Sequence, residues 1–183
     1  MMIDDLIDAV IDREGGFVNN PADRGGATRF GITEAVARAD GYTGDMRHFA
    51  RPAAVAIYRR LYWTAPGLDR VAAHAPRLAA ELFDTGVNMG PAVAVTFLQR
   101  ALTALNRGGR DYPDLACDGR IGAQTLDVLT RFLITRGPTA ETVLIRAVEA
   151  LQGERYLSLA EHRPANEAFL YGWLANRVGG GER

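Results

Sequence analysis

Glu14, Asp23 and Thr28 have the types and spacing that acid–base chemistry on a sugar needs. Glu14 closes an amphipathic segment in which apolar side chains recur at Ile3, Leu6, Ile7, Val10 and Ile11, the stripe of a helix. At about 100° per residue Glu14 falls near the centre of that stripe, whereas Asp4, Asp5, Asp8 and Asp12 fall off it and need only solvent. Gly15-Gly16 then stops the helix as a C-cap does. The Glu14 carboxyl is therefore expected at the negative end of a helix dipole and against apolar neighbours. Both influences disfavour its ionised form and raise its pKa, which suits a general acid. Asp23 and Thr28 follow in a stretch whose glycines and proline bend the chain back beside the helix end. Glycosidic cleavage needs an acid for the leaving oxygen and a second group that orients water or stabilises an oxocarbenium-like transition state. A Glu on an apolar helix end and an Asp in a polar, Gly-rich loop make such an asymmetric pair, with Thr28 placed to help hold the water. On spacing alone, Asp23 reads equally as an Asx-turn residue, Thr28 more readily as a hairpin residue, and Glu14 also as a buried acid paired with an arginine.

Composition removes most competing chemistries. All 21 basic residues are arginine, so Schiff-base and P-loop lysine chemistry is absent. Ser158 is the single serine and lies in a helical pattern rather than a nucleophile turn. His48, His74 and His162 have no ligand spacing, and with one cysteine, Cys117, read as a half-buried loop thiol, no metal site is expected. A net charge of −1 gives no field for nucleic acid or anionic membrane. No apolar run approaches the ~20 residues of a membrane span. The acidic N-terminus lacks the basic region of a secretory signal, so synthesis in the cytoplasm is expected, with any export by another route.

The positioning elements follow from periodicity and turn chemistry. Helices are expected over 3–14, 34–39 (N-capped by Thr33), 53–62, 77–87, 91–105, 122–136, 139–162 and 165–177. A small hairpin or irregular sheet is expected within 15–32, with β-prone pieces at Phe17-Val18 and Arg29–Ile32. Asn88-Met89-Gly90 reads as a helix break, and 106–119 as the longest polar loop and an internal boundary. The fold class is mainly α, a helical bundle with a small β-hairpin near the N-terminus.

Further candidates are substrate-binding ones. Tyr58, Tyr62 and Trp63 form an aromatic cluster that either stacks on sugar or packs the core, with core the better reading for the two tyrosines. Asn88 is a candidate donor to an N-acetyl group or else a helix cap, and Asp84, one turn earlier, either braces it or sits in an ion pair. Gln99 and Asp118 read as helix–loop packing, Trp173 as a core anchor, and Arg59 and Arg60 as partners of unspecified carboxylates.

The block Glu14-Gly15-Gly16-Phe17-Val18-Asn19-Asn20-Pro21, followed by Asp23, Gly25-Gly26, Thr28 and Phe30-Gly31-Ile32-Thr33, resembles the signature of glycoside hydrolase family 108. These are N-acetylmuramidases of the lysozyme-like superfamily, found in phage endolysins and in secretion-associated muramidases. The likeness continues through Ala56-Ile57-Tyr58-Arg59, Tyr62-Trp63, Phe83-Asp84 and Val87-Asn88-Met89-Gly90. Leu98-Gln99, Asp118-Gly119-Arg120-Ile121-Gly122, Gly172-Trp173-Leu174 and Asn176-Arg177-Val178 are similar to the predicted peptidoglycan-binding domain that usually follows.

The resemblance implies an α+β lysozyme-like fold, with a catalytic region over 1–90, a helical peptidoglycan-binding region over 91–178 and a tail over 179–183. It implies hydrolysis of the β-1,4 bond between N-acetylmuramic acid and N-acetylglucosamine, with Glu14 as general acid and Asp23 as the water-orienting partner. Thr28 stands at a slightly different interval from that of related phage lysozymes, and Arg24 stands where a proline usually follows the Asp. No metal or organic cofactor is expected. The partners expected are peptidoglycan glycan strands, without nucleic acid, and a holin-like or secretion partner for export of a monomer that acts in the periplasm. Two other readings stand beside this one: a lytic transglycosylase using Glu14 alone, and a non-catalytic wall-binding or particle-associated structural protein.

Overall fold

The computed structural model describes residues 3–19 and 26–179. The chain forms two compact units, Met1–Ala65 and Pro66–Arg183. This packing division falls earlier than the motif-based division at 90–91, and the polar loop expected as a boundary lies inside the second unit.

In the first unit, α1 (Ile3–Glu14) buries Ile7, Val10 and Ile11 on the predicted stripe. Each such aliphatic side chain, fully buried, stabilises the fold by about 1.5–3 kcal/mol. Gly15, at φ 75°, ends the helix and donates its N–H to the Ile11 carbonyl at 3.1 Å. Strands β1 (Phe17–Val18), β2 (Thr28–Arg29) and β3 (Ile32–Thr33) form an antiparallel sheet in chain order, pairing Val18 with Thr28 and Arg29 with Ile32. Thr33 then caps α2 (Glu34–Ala39), its hydroxyl accepting the Val36 N–H at 3.4 Å. A 3₁₀ turn at Met46–His48, capped by Asp45, leads into α3 (Arg51–Tyr58).

α3 packs on α1 and buries Ala54, Ile57 and Tyr58. The acidic face of α1 is not left to solvent alone, as the sequence suggested. Arg51 bridges Asp8 at 2.6 Å and Asp12 at 3.0 Å, and Arg59 pairs with Asp4. Arg60 pairs with Asp40. Helical periodicity could not anticipate these pairs, because they join positions far apart in the chain. The helix expected to run on to residue 62 instead becomes π-helical over Arg59–Thr64, where the Ala65 N–H reaches the Arg60 carbonyl at 2.9 Å.

The second unit contains α4 (Leu68–Ala72), α5 (Pro76–Met89), α6 (Pro91–Ala104), α7 (Ala123–Arg136), α8 (Ala140–His162) and α9 (Glu167–Arg177). α5 is central, packing against α4, α6 and α8 through Leu78, Leu82 and Phe83. Asn88 and Met89 belong to its last turn, so the break before α6 is Gly90 alone, at φ 94°. α4 is too short to show a helical period in the sequence.

The polar loop after α6 is pinned rather than hinged. Buried Gln99 donates to Asp118 Oδ1 at 2.8 Å and to the Arg120 carbonyl at 3.0 Å, while its own carbonyl accepts the Gly119 N–H at 3.0 Å. Tyr112 donates its hydroxyl proton to the Leu102 carbonyl at 2.8 Å. Gly119 has φ 71°, and a side chain there would press within 2.9 Å of the Ala92 carbonyl oxygen. This assigns Gln99 and Asp118 to helix–loop packing. Cys117 is exposed rather than half-buried.

Between α5 and α8 lies a cluster of acids. Burial pushes the Glu81 carboxyl up to about 8, helped by the charges of Glu149 and Asp84 and opposed by a hydrogen bond from Thr85. A folded-state value above the ordinary 4.5 means that the folded chain holds this proton more tightly than the unfolded chain. The resulting stability is fully present below about 4.5 and is lost as pH rises through about 8. Thermal melts across that window should therefore fall for the wild type and be flatter for Glu81→Gln. Equal slopes for the two proteins would show that Glu81 is ionised throughout.

Candidate active site

Glu14 is the last residue of α1, and its side chain is exposed. The expected apolar surround is absent, because Glu14 stands one turn beyond Ile11, where the buried stripe has ended. Its placement is still not loose. The hairpin turn Phe30-Gly31 between β2 and β3 packs directly over it. A Cβ on Gly31 would lie 2.8 Å from Glu14 Cγ and 3.1 Å from Glu14 Cβ, and would collide with the Tyr58 hydroxyl. Only glycine permits this approach. Gly31 also has φ 74°, a region that L side chains rarely adopt.

Phe30 carries strain at the same turn, with φ 55°. Positive φ at both central residues is the requirement of a type I′ hairpin, whose twist matches the flanking strands. Asn, Asp or Gly usually fills the first position, so a phenylalanine there costs on the order of 1 kcal/mol or more. Two contacts hold it. The Arg29 guanidinium lies 5.0 Å from the centre of its ring, and the Tyr58 hydroxyl donates to its carbonyl at 3.2 Å.

Tyr58 therefore links the hairpin to the first unit's core. Its side chain is only 2% exposed, so its ring has no free face for a sugar. Burial raises the Tyr58 pKa above the usual phenol value, and the negative charge of Glu14 and then Tyr62 raise it further. The phenol thus remains a proton donor beside the carboxylate. Among the described residues, no hydrogen-bond or ion-pair partner occupies the Glu14 carboxylate. Sequence spacing gave no access to the Phe30 carbonyl or to the role of the Tyr58 hydroxyl. The one available signal was Phe-Gly between two β-prone pairs.

Thr28 is half-buried in the central strand, opposite Val18 and Thr33. Asp23 lies outside the described residues. Trp63 is half-buried on the π-helical turn. Tyr62 packs against Tyr58 with ring centres 5.6 Å apart, and burial raises its pKa. Phe17 and Asn19, just after Glu14 in the chain, line a cleft of about 540 Å³. Its arginines are already engaged, Arg38 by Glu34 at 2.7 Å and Arg47 by Asp45 at 3.0 Å.

In the second unit, Asn88 donates to the Asp84 carbonyl at 2.8 Å and to its carboxylate at 3.2 Å. Asp84 also faces Arg177 at 3.5 Å, so it both braces Asn88 and takes part in an ion pair. Trp173 is half-buried against Tyr156. Among the described residues, no three His, Cys, Asp or Glu side chains gather where they could hold a metal ion. Nor is any helix among them long and apolar enough to cross a membrane.

Residues 7–90 match the family model described as Glycosyl hydrolase 108, and residues 93–178 match the Predicted Peptidoglycan domain. The structure of Brucella abortus SagA is similar, with a TM-score of 0.57 and 25% identity over 91% of this chain and 94% of that one. No curated protein sequence matches the chain.

Gly31→Ala should lower stability by about 1–3 kcal/mol, from positive φ and overpacking. Displacing the Glu14 stem should also cut turnover of a cell-wall substrate by roughly 10²-fold. Tyr58→Phe, which keeps the ring, should cost only about 1 kcal/mol. Wild-type turnover by a folded Gly31→Ala protein would separate the hairpin from the placement of Glu14.

Proposed function

We propose that this chain, whose residues 7–90 match the glycosyl hydrolase 108 family, is an N-acetylmuramidase with Glu14 as its general acid. Its fold is mainly α and lysozyme-like, and it is a glycoside hydrolase whose substrate is peptidoglycan. The finer reading takes its support from one observation: an exposed carboxylate ends α1 with its stem against Gly31 of a hairpin that the Tyr58 hydroxyl holds. A general acid must reach a substrate oxygen yet stay in place, and this arrangement meets both demands.

In the proposed reaction, Glu14 gives its proton to the glycosidic oxygen as the bond to the anomeric carbon of N-acetylmuramic acid breaks. Positive charge builds on the sugar ring, and Asp23 orients a water molecule and takes its proton as the new carbon–oxygen bond forms. The products are a reducing N-acetylmuramic acid end and a free 4-hydroxyl on N-acetylglucosamine. Asp23 is assigned through the motif it shares with the family, and Thr28 helps to hold the water. Trp63 contacts sugar by its ring.

Glu14→Gln should fold as the wild type does, because its side chain is exposed. It should also lose roughly 10²–10⁴-fold or more in release of reducing ends from purified peptidoglycan. Anhydro ends from the wild type would mean transglycosylation in place of hydrolysis. Equal binding without cleavage by both proteins would mean a wall-binding module.

A further inference from the structure

In the second unit, a cavity of about 230 Å³ is lined by Asn88 and Met89 at the end of α5, by Arg155, Tyr156 and Leu159 of α8, and by Trp173 of α9. That is room for one sugar unit rather than a strand. Tyr156 is only 4% exposed, and Trp173 packs on it with ring centres 5.3 Å apart and on Phe169 at 6.1 Å, so their aromatic wall is packed apolar surface rather than a free ring face. Leu159 and Met89 give an aliphatic wall.

The polar groups are few and of definite type. The Asn88 amide nitrogen donates to the Asp84 carbonyl at 2.8 Å and to its carboxylate at 3.2 Å. That leaves the Asn88 Oδ1 as an acceptor. Arg155 is exposed and, among the described residues, has no hydrogen-bond or ion-pair partner. Arg51, Arg59, Arg60 and Arg177 all hold carboxylates. Glu154, its neighbour in the chain, projects from a different side of the helix.

Two of the three acids between α5 and α8 are offset. Asp84 is countered by Arg177 at 3.5 Å. Burial together with the charges of Glu149 and Asp84 raises the Glu81 carboxyl to about 8, so it is mostly protonated at neutral pH.

An acceptor, an unpaired guanidinium and an apolar surface are complementary to an amide N–H, a carboxylate and an acetyl methyl. We infer that this cavity binds the N-acetylmuramoyl unit of peptidoglycan, with Asn88 Oδ1 on its acetamido N–H and Arg155 on the carboxylate of its side group. This rests on peptidoglycan being the substrate. N-acetylglucosamine has the acetamido group but no carboxylate, so Arg155 makes the cavity selective between the two sugars. The carboxylate has two sources: the lactyl acid of a bare glycan, or the glutamate of a stem peptide amide-linked to the lactyl group.

The test uses the full chain carrying Glu14→Gln, so that ligands survive. It is titrated with N-acetylglucosaminyl-N-acetylmuramic acid, with the neutral lactyl amide of that disaccharide, and with the disaccharide bearing L-Ala-D-Glu. At least one of the two anionic ligands should bind roughly tenfold or more tightly than the neutral amide. Which of them does so identifies the source of the carboxylate. Adding Arg155→Gln, whose melting curve should be unchanged, should bring both down to the affinity of the amide. Equal affinities for all three ligands, or a preference that survives Arg155→Gln, overturns the assignment. Release of reducing ends from peptidoglycan by the wild type is measured alongside. Its absence defeats the muramidase reading, whereas its presence with no carboxylate preference defeats only the cavity assignment.

Discussion

A carboxylate that is exposed and yet held depends on the close approach of Gly31 to the end of α1. Exposure alone leaves a glutamate free among its rotamers, and burial removes it from a substrate. Here the Cβ and Cγ of Glu14 lie against the hairpin while its oxygens remain accessible. The contact exists because residue 31 lacks a side chain. It is kept because Tyr58, anchored in the core by α3, donates a hydrogen bond to the strained residue beside it. Strain at Phe30, a buried tyrosine and a glycine with no spare volume thus form one mechanical unit. Removing any one of them is felt by the others.

The packing of α1 on α3 brings Tyr58 to that position. Its strength lies in the apolar contact of Ile7, Val10 and Ile11 with the α3 face. The arginine pairs across the rim are largely exposed and individually contribute about 1 kcal/mol or less. Arg51, shared between Asp8 and Asp12, fixes the rotation of α3 against α1 more than it stabilises the pair. The π-helical turn that follows shifts the register by one residue, so Tyr62 and Trp63 do not continue the α-helical face.

The second unit solves a different problem, because it carries polar groups inside. Gln99 satisfies the 118–120 turn with both ends of its amide. Glu81 avoids a buried charge by keeping its proton, and Asp84 avoids one by pairing with Arg177 and Asn88. Neutralisation, pairing and amide bridging are three ways to bury a polar group without an uncompensated charge.

Much of this was legible in the chain itself. The stripe of α1, the glycine stop, the Thr33 cap and the long helices all follow from local rules, since side-chain period and capping need only neighbours in sequence. The chemistry on offer was legible too, because arginine-only basicity, a single serine and a single cysteine leave carboxylates as the reactive groups. What the local rules missed depends on residues distant in sequence. Glu14 lies on the apolar face by its angle, yet it is exposed, because the neighbour over its stem is a glycine with no side chain to cover it. Tyr58 reads as part of an aromatic cluster, yet its hydroxyl serves a turn 28 residues earlier. The partners of Arg59 and Arg60, and the pinned loop after α6, likewise follow from which helices meet. Residue types and their periods determined the elements and the chemistry available. Only the tertiary structure decided which groups are exposed, held or neutralised, because solvation and hydrogen bonding depend on neighbours that the chain brings together from far apart.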